Sequence, residues 1–233
     1  MFSYSLLLFF QSVEMEAGED PEMKSQNLLD VLLGSGPLGI AIVIILAFLF
    51  ILGLYIFFER YNTIKQAGNV DESFMSQIRA HVSSGNLVSA RALCQSTDSP
   101  VARMVDKGLA RIGKPLSDID AAIENVGNLE VFRLEKGLST LASISGAAPM
   151  IGFFGTVTGM IAAFYEMSTA QNITPDVLAG GIYQALITTA AGLFIGILSF
   201  IGYNLLVARV ERVVYQMERS TTEFMDLLQE PTV

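Results

Sequence analysis

Three long stretches of this chain contain no Asp, Glu, Lys, Arg or His, and they limit its fold more than any other feature. They lie between Asp30 and Glu59, between Lys136 and Glu166, and between Asp176 and Arg209, and hold 28, 29 and 32 residues. A hydrocarbon layer roughly 30 Å thick is crossed by about 20 helical residues, each rising about 1.5 Å. Peptide groups find no water there, so such a segment must satisfy its own hydrogen bonds as a helix. Three transmembrane helices are expected. The overall composition, 52% hydrophobic and 16% charged, is likewise too apolar for an ordinary soluble domain.

Basic residues flanking the spans set orientation, because short loops rich in Lys and Arg stay in the cytoplasm. Residues 59–136 carry ten, and three more, Arg209, Arg212 and Arg219, follow the third window. The first 30 residues hold only Lys24, and the turn from Glu166 to Asp176 holds none. The expected topology places the N-terminus outside and the large loop and C-terminus in the cytoplasm.

Seven segments follow. Residues 1–35 form an outer-face segment in which "SQNLLDVLL" reads as an amphipathic helix, and residues 36–58 the first span. A cytoplasmic helical domain occupies 59–136, the second span 137–165, an outer turn 166–176, the third span 177–208 and a cytoplasmic C-terminal helix 209–233. The apolar start "MFSYSLLLFF" lacks a basic n-region and a small-x-small cleavage site, so an interfacial segment is expected over a cleaved signal. In 61–114, "NVDESFMSQIRAHV" places Phe74, Ile78 and Val82 at helical spacing behind a capping Asn69, and "NLVSARALC" and "SPVARMVDKGLARIG" read as two further short helices. From Pro115 the helical pattern meets no breaker before Lys136, so one helix of about fifty residues is expected to rise into the second span. Beyond Arg209, Val210, Val213, Val214, Met217, Phe224 and Leu228 continue an apolar stripe. The expected fold class is an all-α membrane protein, with three transmembrane helices whose long cytoplasmic extensions form a bundle.

Several functions are excluded or left without support. A net charge of −9 does not suit nucleic acid. The single cysteine, Cys94, reads as a core thiol and the single histidine, His81, as a helix-end surface residue, so no metal site is expected. No nucleophile–base pair, phosphate loop or cofactor motif is found, and an enzyme is not expected.

The second and third windows differ from the first in being rich in small and hydroxyl side chains. Gly152, Gly155, Gly159 and Ala163 share one helical face, and Gly181, Ala185, Thr188, Gly192, Gly196 and Ser199 share another. Small residues let helix backbones approach in lipid, where apolar side chains gain nothing by association. Both faces are therefore expected to meet protein: each other within one monomer or, as the accompanying polarity favours, a foreign helix. Thr156 lies ten residues from Glu166, Thr189 thirteen from Asp176 and Gln184 eight, which puts them at about 15, 20 and 12 Å depth by helical rise. With Thr188, they form a candidate polar path for a proton or small ion. None of the windows contains a titratable relay residue, so the carboxylate must come from another protein.

At these residues the chain resembles the MotA/TolQ/ExbB proton-channel family, in its three-span ExbB and TolQ branch. The segments "GAAPMIGFFGTVTGM" and "GIYQALITTAAGLFIGI" carry the likeness, supported by "YIFFER", and it covers residues 38–228. The resemblance implies a homopentameric ring in a bacterial inner membrane around two single-span subunits of the ExbD/TolR type. It further implies a proton flow coupled to a TonB- or TolA-type envelope protein. By similarity Thr156 and Thr189 match pore-lining threonines, and Pro149 the proline preceding the glycines. Gln184 stands where many relatives carry glutamate. The alternatives are a structural membrane scaffold and a stator of a related gliding or flagellar-type motor, although the flagellar branch has four spans.

Overall fold

The computed structural model describes residues 36–69, 71, 73–169 and 175–229. The expectations for residues 1–35, among them the amphipathic helix, lie outside the described residues. The described residues form seven helices and no strand: α1 (Gly36–Ala67), α2 (Ser73–Ser83), α3 (Leu87–Ser96), α4 (Pro100–Leu109), α5 (Leu116–Glu135), α6 (Leu138–Thr169) and α7 (Pro175–Gln229). Helices α1, α6 and α7 are long and apolar enough to cross a membrane. The chain is an all-α, multi-pass membrane protein.

In the apolar zone α6 and α7 lie side by side, and α1 packs on one side of the pair through Ile42 and Leu46, which meet Ile144, Ala148 and Ile195. The opposite face of α1 points outward, with Ile44, Ile51 and Tyr55 all more than 60% exposed. A helix apolar around its whole circumference is suited to lipid on those faces. Helix α1 also approaches α7 closely along its length: a Cβ at Gly53 would stand 3.4 Å from Ser199 Oγ, one at Gly202 3.0 Å from Phe57 Cδ2, and one at Gly68 3.2 Å from Val213 Cγ2.

Below this zone α1 and α7 continue into a bundle with α2 to α5. Its core joins Ile64 of α1, Phe74 and Ile78 of α2, Cys94 of α3, Val101 and Val105 of α4, Ile123 of α5, and Val213, Met217 and Phe224 of α7. The short helices are defined by their caps. Asn86 accepts a hydrogen bond from Ser89 N at 3.1 Å, and Ser99 accepts from Ala102 N at 3.1 Å, with Pro100 following as the first helical residue. At α2 the cap is Asp71, whose Oδ1 accepts from Ser73 N at 2.9 Å, rather than the expected Asn69. That backbone hydrogen bond holds the Asp71 carboxyl below its ordinary pKa. His81 is half-buried in the last turn of α2. Glu130, 3% exposed, is held by Arg103 Nη2 at 2.8 Å and Arg133 Nη1 at 2.6 Å, tying α4 to α5.

The expected fifty-residue helix is not continuous. It breaks between α5 and α6, where Lys136 has φ −53° and ψ 128° and Gly137 has φ +83°. Glycine alone enters that left-handed region without a Cβ penalty. The carbonyl of Gly137 then accepts from Leu141 N at 3.2 Å to start α6. Arg60 of α1 donates to the Arg133 carbonyl at 3.3 Å, satisfying one of the open acceptors that end α5. By contrast, α7 runs unbroken for 55 residues from the membrane zone to the end of the bundle.

Two measurements check this core. Phe224 is fully buried, and a Cβ at Gly108 would lie 2.5 Å from its Cε1. Phe224→Ala should destabilise the bundle by about 3–5 kcal/mol, read as a lowered thermal midpoint of the detergent-solubilised chain. Burial raises the Cys94 thiol pKa to about 12, with Asp106 adding to the shift. At pH 8 the folded chain should react with iodoacetamide about a hundredfold or more slowly than the urea-unfolded chain, because the thiolate is the nucleophile.

Candidate functional site

The small faces of the second and third spans pack against each other. A Cβ at Gly152 would stand 2.7 Å from the Thr188 carbonyl oxygen and 3.1 Å from Gly192 Cα, and one at Gly192 would stand 2.5 Å from the Ala148 carbonyl oxygen. At Gly159 it would meet the Ala185 side chain at 2.9 Å, and at Gly155 it would overlap the Thr188 hydroxyl. Backbone therefore lies on backbone along this seam, the contact that small residues permit in lipid. The expectation that these faces enclose a foreign helix rather than each other fails for the glycines. They serve the chain's own helix pair.

Pro149 belongs to the same seam. Lacking an N–H, it cannot bond the Ser145 carbonyl one turn back. Gly196 packs on this turn: a Cβ there would lie 2.5 Å from Pro149 Cγ and 3.0 Å from the Ser145 oxygen. Glycine at 196 thus fits both the proline ring and the carbonyl it exposes.

The four polar candidates separate into three positions. Thr156 and Thr189, both half-buried, meet at the edge of the seam away from α1, with their hydroxyl oxygens 3.3 Å apart. Thr156 Oγ1 donates to the Phe153 carbonyl at 2.6 Å, and Thr189 Oγ1 donates across the helix pair to the Gly152 carbonyl at 3.0 Å. Thr188 is buried inside the seam, with Oγ1 2.7 Å from the Ala185 carbonyl oxygen. Gln184 lies on the opposite edge, toward α1, in a recess of about 80 Å³ with Leu38, Gly39, Thr158 and Thr188. Helical geometry explains this division. Residues 184 and 189 flank the line of Gly181, Ala185 and Gly192 on opposite sides at about 100° per residue.

Each hydroxyl has one proton and two acceptor lone pairs. With its proton given to a helix carbonyl, Thr156 or Thr189 still offers lone pairs at the open edge. The pair can accept from a donor placed there, and can pass a proton on when its own O–H turns away from the carbonyl. No Asp, Glu, Lys, Arg or His lies within the second or third charge-free window, so neither hydroxyl has a titratable neighbour along the spans. Among the described residues no cluster of His, Cys, Asp or Glu could hold a metal ion.

Sequence reading missed Ser145 and Ala148, whose carbonyls meet the glycines of α7. Backbone acceptors leave no trace in residue type. The only signal was indirect, in Pro149 and Gly196 themselves.

Three apolar helices, two of them sealed by glycine with paired threonines at one edge, above a helical bundle, define the class as a multi-pass membrane protein. Residues 96–219 match the model of the MotA/TolQ/ExbB proton channel family. The chain is 30% identical over 182 residues to the Tol-Pal system protein TolQ of Pseudomonas aeruginosa, covering 73% of this chain and 79% of that one. It is 31% identical over 160 residues to a putative biopolymer transport protein ExbB homolog of Methanothermobacter thermautotrophicus, covering 69% and 54%. It is 42% identical over 74 residues to the biopolymer transport protein ExbB of Neisseria gonorrhoeae, covering 32% and 34%. The chain belongs to the MotA/TolQ/ExbB proton channel family, in its ExbB/TolQ branch.

The seam makes a directional prediction. Gly192→Ala, on α7, places a methyl against the Ala148 backbone, whereas a Cβ at Gly146, on α6, would meet nothing within 4 Å. Gly192→Ala should lower the yield and thermal midpoint of the purified chain. Gly146→Ala should leave both unchanged or slightly raised, since alanine is favoured over glycine in a helix by about 1 kcal/mol.

Proposed function

We propose that this chain is the ring-forming subunit of a proton-driven stator and is not an enzyme. Five copies assemble in a bacterial inner membrane, with the N-terminus in the periplasm and the bundle in the cytoplasm. They surround two copies of a single-span subunit of the ExbD/TolR type. The Thr156–Thr189 edges of α6 and α7 face inward, while α1 stays outside toward lipid. A carboxylate on the partner helix takes up and releases protons beside these hydroxyls, and the resulting motion energises a TonB- or TolA-type envelope protein.

The observation that carries this reading is the hydroxyl pair. Thr156 and Thr189 come from different helices, meet within hydrogen-bond distance at membrane depth, and sit on the edge that α1 leaves open. They supply lone pairs and protons but no titratable group, which fits the wall of a path rather than its acid. Gln184, on the α1 side, has no part in titration and belongs to the outer packing of the ring.

One observation favours a second reading, a scaffold without conduction. Both hydroxyls already bond helix carbonyls, the usual resting place of a membrane threonine. Proteoliposomes containing the chain and an aspartate-bearing single-span partner separate the two. Thr156→Val with Thr189→Val keeps the shape and removes both hydroxyls, and partner-dependent proton flux should fall by about tenfold or more, with the complex still assembled. Absence of partner-dependent flux in the wild type would leave only the scaffold, and undiminished flux in the double variant would overturn a path along these hydroxyls.

A further inference from the structure

Where α1 and α7 pass from the apolar zone into the bundle, two cavities of opposite chemistry adjoin. The upper, of about 220 Å³, runs between the two helices and is lined by Phe50, Gly53 and Phe57 on one side and Leu198, Gly202 and Leu205 on the other. The lower, of about 410 Å³, is lined by Lys65 and Gly68 of α1 and by Arg209, Arg212 and Gln216 of α7. Leu205 lines both, so the two cavities adjoin at this side chain. No Asp or Glu lines either cavity.

The three cations are not used up by the fold. Lys65 and Arg212 are exposed and make no ion pair among the described residues. Arg209 is held in place, with Cζ 4.2 Å above the Tyr61 ring and Nη2 donating to Tyr61 Oη at 3.2 Å. These contacts orient the guanidinium without neutralising it. Nearby Arg60 is different, being paired with Glu59.

We propose that this composite groove binds one anionic phospholipid. An acyl chain lies along the apolar cavity between α1 and α7, and the headgroup phosphate sits among Lys65, Arg209 and Arg212. A basic cavity alone would take any anion, and an apolar groove alone any chain. Their junction at Leu205, where charge begins, selects a molecule with both parts. Guanidinium and phosphate match in shape as well as charge. The assignment of this lipid to the cytoplasmic leaflet rests on the topology proposed above; the binding itself does not.

The test uses the full chain, purified in the assembly it forms, stripped of lipid and titrated in native mass spectrometry. The probes are phosphatidylglycerol, phosphatidylcholine of equal chain length, and inorganic phosphate. Wild type should prefer phosphatidylglycerol by about tenfold or more, given the contribution of each basic residue near an anionic lipid. Lys65→Gln with Arg212→Gln should lose that preference while retaining the thermal midpoint and the weak phosphatidylcholine binding. Inorganic phosphate should not displace the lipid. Equal binding of the two lipids by wild type overturns the proposal without reference to any variant, and so does an undiminished preference in the double variant. Displacement by inorganic phosphate would mean an anion site without a lipid. A photo-crosslinker at Leu54 that joins two protein chains instead of lipid would mean that a second copy occupies the groove. The readout is lipid occupancy, so a negative result leaves the hydroxyl path standing, and failure of that path leaves the lipid site standing.

Discussion

Two helices in lipid gain nothing by burying leucine against leucine, because the tails around them are as apolar as a protein core. What holds α6 to α7 is therefore dispersion between surfaces close enough to count, and that closeness comes from glycine. Gly152 faces Gly192 and the Thr188 carbonyl, and Gly192 faces the Ala148 carbonyl. Each of those contacts leaves no room for a methyl group. Once the backbones are this near, the Thr189 hydroxyl reaches the Gly152 carbonyl of the other helix. The polar groups of the membrane zone take their places around that contact: Thr188 within it, Thr156 and Thr189 at one edge, Gln184 at the other.

Much of this was legible in residue type, and the parts that were not have physical reasons. Three charge-free windows announce three spans because a membrane penalises charge wherever it occurs. The glycine stripes announce close contact, yet not with which helix, because a face smooth enough for α7 is equally smooth for a foreign helix. The stripe residues from Gly152 to Gly196 are indistinguishable on that ground. The grouping of four polar residues into one path also failed at Thr188 and Gln184. Similar depth along the axis says nothing about angle around it, and the centre of the α6–α7 contact is needed before either edge can be assigned. Gly137 was visible as a glycine after Lys136, but an isolated glycine is tolerated in helices, and only its φ of +83° shows that the chain turns there.

That turn has a mechanical meaning beside the unbroken α7. The bundle core grips α7 at Val213, Met217 and Phe224, while its other end forms the glycine seam. One continuous rod therefore joins the seam to the bundle. Helix α5 continues into α6 through Lys136 and Gly137, and it is held from the side by Arg60 of α1. The two connections between membrane and bundle differ in stiffness. On the proposed reading, α7 carries the motion of the ring, and the glycine turn lets α6 follow without dragging α5.

On the proposed reading, the same local chemistry decides what a partner must bring. Thr156 gives its proton to Phe153 and Thr189 gives its proton to Gly152, each to a carbonyl fixed in its helix. At rest the edge presents lone pairs, so it accepts hydrogen bonds more readily than it donates them. A hydroxyl is far too weak an acid to hold or yield a proton by itself at neutral pH, and the nearest charged residues lie at the ends of the spans. For protons to move through such an edge, a group that is protonated on one side and ionised on the other must pass beside it. A carboxylic acid on a helix able to turn has this property, and its O–H would find its first acceptors at Thr156 and Thr189. Glutamate at position 184 would not replace it, because that position opens toward α1 on the far side of the seam.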